Sequence, residues 1–314
     1  MARGQDTHRP LHGVALKLLS VCVFMGMAVC VKISAEEVPP GEIVFFRSFF
    51  AIPVIMFWLW QRHELATGLR TENSMGHLWR GLVGATAMGL SFTALGLLPL
   101  PEVTAIGYAA PLLVVVFAAM FLNEKVRLYR LGAVFLGLLG VIVMLAPKLS
   151  VDGLEDATKD ETVGAMAMLL GAVFMALATC FVRKMVETEE SAAIVFYFSL
   201  TCTVLSLFTL PFGWAVPSWE VFGLLVLAGL LGGVAQIFLT ESFRHADAGL
   251  IAPFEYASML LSIAIGWFVF AEAPQETTLI GAVLVIAAGL VIIFRERQLG
   301  IERAKARRSL TQNG

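Results

Sequence analysis

One feature limits what this chain can fold into more than any other: long apolar runs follow one another almost without pause. They occupy 13–33, 42–60, 79–98, 102–122, 130–147, 163–183, 191–211, 219–240, 247–270 and 277–294. Each is close to the roughly 20 apolar residues that a membrane-crossing helix needs. The chain as a whole is 58% hydrophobic and 15% charged, with a mean hydropathy of +0.83. Soluble domains hold about 45–50% apolar and about 25% charged residues. A soluble protein of this length can bury a core with less, so lipid is the solvent this composition fits. The breaks are short and carry turn signals, as in EVPPGE (37–42), LPLPE (98–102) and AEAPQE (271–276). The longest, 61–78 and 148–162, cannot hold a catalytic soluble domain. The expected fold is an all-α polytopic membrane protein with ten transmembrane helices.

Lys and Arg in the connecting segments predict the orientation. With the N-terminus in the cytoplasm, the inner segments and the tail hold 17 of the 22 basic residues. The outer segments hold Lys32, Lys148 and Lys159, and apart from residues at the very ends of spans only Lys17 and Arg47 lie within them. The asymmetry predicts cytoplasmic N- and C-termini and an even number of crossings. The first run, Gly13 to Ile33, exceeds the roughly 7–15 residues of a secretory h-region, so it reads as a permanent span.

The chain also repeats itself. VFMGMAVC (23–30) returns as VFMALATC (173–180), and IVFFRS (43–48) as IVFYFS (194–199). Gly81 and Gly84 return as Gly229 and Gly232, Tyr108 as Tyr256, and Glu124 as Glu272. GAVFLGLLGVIV (132–143) returns as GAVLVIAAGLVI (281–292), and the offset stays between 148 and 151. Repeat 1 spans 13–147 and repeat 2 spans 163–294, joined by an acidic linker at 148–162 and followed by a basic tail at 295–314. Five spans per half is an odd number, so the second half enters the membrane from the opposite side. Inverted repeats of this kind are a common ground plan of secondary transporters, with the substrate site near the midplane between the halves.

The stretch LPLPEVTAIGYAAPLLVVVFAAMFLNEKV (98–126) and its counterpart DAGLIAPFEYASMLLSIAIGWFVFAEAP (247–274) carry a family resemblance. Each ends in an acidic residue after an aromatic-rich helix, Glu124 and Glu272. The chain resembles the EamA-type repeats of the drug/metabolite transporter superfamily from about residue 13 to 294. The resemblance implies transport of a small metabolite. It leaves the substrate open among amino acids, nucleotide sugars, vitamins, polyamine-like drugs and other metabolites.

Charges at membrane depth are costly and therefore mark functional candidates. Arg47 lies about 8 Å inside one end of its span and Glu255 about 12 Å inside the opposite end of its own. That places them within about 10 Å of each other along the membrane normal. Both break the internal symmetry, because Arg47 corresponds to Phe198 and Glu255 to Gly107. They are expected to line the transport cavity, or to form one ion pair between helices. Glu255 is also the candidate for proton coupling, since burial raises a carboxyl's affinity for its proton. Tyr108 and Tyr256 offer an apolar face and a hydroxyl for clamping an organic solute. Gln236 and Ser262 complete the expected substrate-binding set. Ala252, Glu255, Met259, Ser262 and Gly266 share one helical face. Lys17, near a span end, is expected to snorkel. Glu241, Arg244, His245 and Asp247 read as a solvated loop that could pair as a gate. Glu124 and Glu272 read as structural anchors. Pro53, Pro111 and Pro253 are expected to kink their helices.

Cys22, Cys30, Cys180 and Cys202 all fall in apolar stretches without CxxC spacing, so neither a disulfide framework nor a metal site is expected. There is no Walker loop, no HExxH and no GxSxG, so the chain reads as a non-enzyme without a cofactor. The expected function is alternating-access transport of an amino acid or derivative across the inner membrane. Uptake of a vitamin or nucleoside-like aromatic such as riboflavin is the second reading, and a non-transporting scaffold the third. The expected partners are a small-molecule substrate, the lipid bilayer, a coupled proton and a second copy in a homodimer. With a net charge of −2, nucleic acid is not among them.

Overall fold

A computed structural model of the protein describes residues 10–65, 67–121, 128–149, 159–246 and 248–312. Among the described residues every regular element is helical. The first half runs α1 (Pro10–Ser34), α2 (Pro40–Phe49), α3 (Ala51–Gln61), α4 (Ser74–Leu97), α5 (Leu100–Gly107), α6 (Ala109–Phe121) and α7 (Leu128–Leu149). The second half runs α8 (Lys159–Met185), α9 (Ser191–Leu207), α10 (Trp219–His245), α11 (Ala248–Ile251), α12 (Ala257–Phe270) and α13 (Glu276–Gln312). Six segments are long and apolar enough to cross a membrane: Leu11–Ser34, Pro40–Gln61, Leu100–Phe117, Lys159–Met185, Trp219–His245 and Pro253–Phe270. Leu131–Pro147, Ser191–Leu207 and Glu276–Ile292 are shorter apolar helices. Large apolar side chains face outward, with Phe135, Trp219 and Phe268 among the most exposed. Such a surface suits lipid and would be a liability in water.

The three prolines set the breaks. A proline ring clashes with the carbonyl four residues back and removes one helical hydrogen bond. Pro53 lies four residues after Phe49, where α2 ends, and Pro111 four after Gly107, where α5 ends. Pro253 falls in a 3-10 segment, Ala252–Tyr256, that separates α11 from α12. Three spans expected as single helices are therefore jointed, at Phe50, at Tyr108 and across 252–256. α13 continues without interruption from Glu276 to Gln312, through the segment expected as the basic tail. Glu124, Asp247 and most of the 148–162 linker lie outside the described residues.

Long helices pack in pairs: α1 along α10, α4 along α8, α7 along α13, and α2 against α9. Glycines allow α10 to lie on the α2–α3 joint. A Cβ on Gly233 would come 3.1 Å from the Ala51 Cα, and one on Gly229 would collide with Phe50. The two ends of the bundle are tied by charges. At one end Lys32 Nζ lies 2.9 Å from Glu272 Oε1 and donates to the Leu98 carbonyl at 2.7 Å. Glu272 also accepts the Leu100 N–H at 2.9 Å, so it joins α1, α5 and α12, as an anchor should. At the other end Arg244 pairs with Glu190 at 2.9 Å and donates to the Glu189 carbonyl at 2.7 Å.

Candidate functional site

Glu255 sits in the 3-10 segment that Pro253 creates. Its carboxylate is bonded to the Lys17 ammonium of α1. Lys17 does not snorkel: its side chain is 6% exposed, whereas that of Glu255 is 40% exposed. The joint explains the pairing, because a continuous α-helix would not present residue 255 in this way. An ion pair taken from water holds only when its geometry compensates the lost hydration. Here one partner is enclosed by the bundle and the other remains open on one side. The ion pair that the sequence suggested between Arg47 and Glu255 is thus made by Lys17 instead.

Next to this pair, Tyr108 and Tyr256 meet edge to face, with ring centroids 5.1 Å apart. Both are buried, and both stand at joints, Tyr108 between α5 and α6 and Tyr256 at the start of α12. The Tyr108 hydroxyl and Ser258 Oγ lie 2.8 Å apart, and Ser258 Oγ donates to the Glu255 carbonyl at 2.6 Å. A short polar chain therefore links the tyrosine pair to the segment that carries the carboxylate. The Tyr256 hydroxyl lies over Gly289 of α13, where a Cβ would collide with it.

Arg47 belongs to a second centre. It is 2% exposed, near the end of α2, and its Nη2 donates to the Gly232 carbonyl of α10 at 3.4 Å. Its guanidinium carbon lies 5.6 Å from the Phe198 ring centroid, and that of Arg80 lies 3.9 Å from the same ring. Arg80, in the second turn of α4, is 5% exposed. Neither arginine forms an ion pair with the described residues. On each, Nε and Nη1 are buried with no hydrogen-bond partner. Glycines make the room. A Cβ on Gly232 would meet Arg47 Nε at 2.7 Å, and one on Gly84 would collide with Arg80 and meet Phe198 Cε2 at 2.7 Å. The sequence reading had counted Arg80 among the charges of a connecting segment. The signal that could have found it is Gly84, one turn further on the same helix, with space for a folded-back guanidinium.

Gln236 is buried on α10, one turn beyond Gly232 and so on the face that meets Arg47. Ser262 is fully buried in α12 and donates to the Met259 carbonyl at 3.0 Å. A Cβ on Gly266, on the same stripe, would come 2.9 Å from Pro101 of α5. The structure therefore brings Glu255, Tyr108 and Tyr256 together with Lys17. It places Arg47 with Arg80 at Phe198, with Gln236 buried one turn beyond the Gly232 contact, and it leaves Ser262 inside a helix contact. A Cβ on Gly232 would also meet the Met27 sulfur of α1 at 3.0 Å. Lys17 and Met27 are ten residues apart on α1, so the two centres stand about 15 Å apart along that helix.

Beyond the spans, Arg244 pairs across to the α8–α9 turn, while His245 keeps a bond to the Glu241 carbonyl at 2.9 Å on its own helix. His77 Nε2 lies 3.3 Å from Glu189 Oε2. Burial holds the His77 imidazole below its usual range despite the neighbouring carboxylate. For Glu189, burial acts upward, but the bonds from His77 and from the Glu72 backbone outweigh it and hold the carboxyl below its usual range. Among the described residues no group of His, Cys, Asp and Glu is arranged to hold a metal.

Comparison with known proteins places this geometry among carriers. The sequence profile of the EamA-like transporter family matches residues 11–146 and again 162–294. An S-adenosylmethionine uptake transporter of Rickettsia felis is 28% identical over 92% of this chain and 94% of its own. The pseudopaline exporter CntI of Pseudomonas aeruginosa is 28% identical over 89% of this chain and 95% of its own. A protein crystal structure that is 21% identical covers 91% of this chain and 98% of its own, with a TM-score of 0.66. That likeness is one of fold.

Proposed function

Because the chain belongs to the EamA-like transporter family, we propose that it is a secondary transporter for an amino acid or amino-acid derivative, working by alternating access in the inner membrane. Ten helical spans, five in each of two inverted repeats, are the frame of this reading. Three observations support that frame. The family profile matches twice. The helix pairs exchange under the repeat: α1 on α10 becomes α8 on α4, while α2 with α9 and α7 with α13 map onto themselves. The prolines joint α5–α6 and α11–α12 at corresponding places. The basic residues favour a cytoplasmic N- and C-terminus.

The observation that carries the proposal is the ion pair between Lys17 and Glu255. An ammonium held against a carboxylate inside an apolar bundle is a stand-in for a substrate amine. A substrate that brings its own ammonium would displace Lys17. A proton arriving at Glu255 would release Lys17 by removing its counter-charge, and either event would change the contact between α1 and the 252–256 joint. Tyr108 and Tyr256 would receive the apolar body of the solute, and in an elongated derivative whose carboxylate lies far from the cationic group, Arg47 with Gln236 would receive the acidic end. The S-adenosylmethionine transporter among the relatives carries an amino-acid derivative, which agrees with this class. The tyrosine pair, meeting at 5.1 Å, gives the flat aromatic solute its place as a second reading.

The test is flux in liposomes that hold the purified protein. S-adenosylmethionine, methionine and riboflavin are offered with and without a proton gradient. We expect one of the first two to move, and Glu255→Gln to abolish both that movement and its response to the gradient. Movement of riboflavin alone would replace the amino-acid reading by the second one. Movement that is unchanged in Glu255→Gln would remove Glu255 from the mechanism.

A further inference from the structure

Arg47 and Arg80 press on one aromatic ring from two helices, and among the described residues neither has a carboxylate partner. Two guanidiniums in a low-dielectric interior repel each other and lose hydration. Stacking on Phe198 returns only part of that loss. The chain does not use this arrangement in its other half. Phe198 is the repeat counterpart of Arg47, and Gly84 that of Gly232. One glycine groove takes the phenylalanine and the other takes the arginine. Arg80 has Ala228 as its counterpart. The same architectural position is therefore filled by an apolar residue on one side, so the fold itself does not require cations there.

We infer that Arg47 and Arg80 form an oxyanion subsite, with Phe198 as its wall, that receives the carboxylate of the transported solute. The assignment rests on the transporter reading and adds Arg80, a residue with no assigned role, to its binding site. The unpartnered Nε and Nη1 groups of the two arginines supply buried, charged N–H donors for an anion, one on each of two edges of each guanidinium. Both arginines are more than nine-tenths buried, so the bound anion would be shielded from water. About 15 Å along α1 from this subsite, Glu255 offers the opposite charge. The ammonium and carboxylate of a simple α-amino acid are too close together to reach both centres at once, so the two together suit only an elongated solute whose cation stands far from its carboxylate.

The test compares acids with analogues that lack the carboxylate. Thermal stabilisation of the purified full-length protein is titrated with S-adenosylmethionine and its decarboxylated form, and with methionine and methioninamide. Inorganic phosphate is the control for anion binding without a carboxylate. We expect the wild type to respond to an acid at about tenfold lower concentration than to its partner, the discrimination that charge-assisted hydrogen bonds give. Arg80→Gln and Arg47→Gln should bring that ratio to about one. Arg80→Lys, which keeps the charge but not the planar guanidinium, should restore part of it. The ligand-free variants should melt at or above the wild-type temperature, because a buried unpaired charge has been removed. A ratio kept in both variants overturns the subsite, as does a clear fall in ligand-free stability of both, which would make the arginines structural. Stabilisation by phosphate at the same concentration as the best acid would assign the pair to phosphate-bearing solutes and overturn the carboxylate. No response to any acid also overturns it. In that case flux of an uncharged or cationic solute through the same protein in liposomes leaves the transporter reading standing.

Discussion

The bundle holds two polar centres built on opposite rules. At Lys17 and Glu255 each charge has its complement, and the carboxylate is half open. At Arg47 and Arg80 both charges have the same sign, both are enclosed, and both lie against one aromatic ring. A compensated pair favours the fold that makes it, because removing one partner strands the other. An uncompensated pair burdens the fold, and its members are dispensable for folding. The difference separates groups that hold the structure from groups held by it, and mutation can read that difference directly.

The largest effect should come from breaking the complementary centre. Glu255→Gln leaves the enclosed Lys17 ammonium without a counter-charge and should lower stability by about 2 kcal/mol, less than for a fully buried pair because the carboxylate is half open. Adding Lys17→Met should recover most of that loss, and a double-mutant cycle of melting in detergent measures the coupling. No coupling would dissolve the contrast between the centres. Glu272→Gln comes next. It weakens the Lys32 pair and the bond from the Leu100 N–H, at about 1–2 kcal/mol. Gly232→Ala should act on binding more than on stability, since the added methyl meets flexible atoms of Arg47 and Met27. We expect a fewfold weaker response to the preferred acid, and an unchanged titration would place Arg47 away from the solute. The smallest effect concerns pH. His77 titrates below its ordinary 6.5 and Glu189 below its ordinary 4.5. Between 6.5 and 4.5 the unfolded chain takes up the histidine proton more readily, so stability falls as pH drops. The Glu189 contribution, present above 4.5, goes only at lower pH. His77→Gln should flatten the melting temperature across that upper window and leave the loss below it.

Much of this was legible in the chain itself. The apolar runs announce a membrane protein, and the prolines locate the joints, because both rest on local rules of length and backbone sterics. Glu255 and Arg47 stand out because a charge in an apolar run has no bland explanation. Their partners were harder to read. Lys17 lies near a span end, where its long stem could equally reach water. Only the 3-10 turn at 252–256, which alters the angle at which residue 255 projects, decides for Glu255. Arg80 lies at the edge of its run and reads as a loop charge. Its burial depends on α9 carrying Phe198 across it, a contact between residues 118 positions apart. Ser262 shows the converse, since its helical stripe is real but meets α5.

Arg47 and Arg80 also bear on voltage. A unit charge carried across the whole membrane field exchanges about 2.3 kcal/mol per 100 mV. If the two guanidiniums shift together by a fifth of that field while the carrier rocks, the balance between its two states moves by about 1 kcal/mol per 100 mV. Lys17 and Glu255 sum to zero and give the field nothing to pull on. A bound carboxylate would cancel half the charge at the arginines and, with it, half of the response. The empty carrier and the loaded carrier would therefore differ in electrical sensitivity, and the size of that difference is written in the number of unpaired guanidiniums.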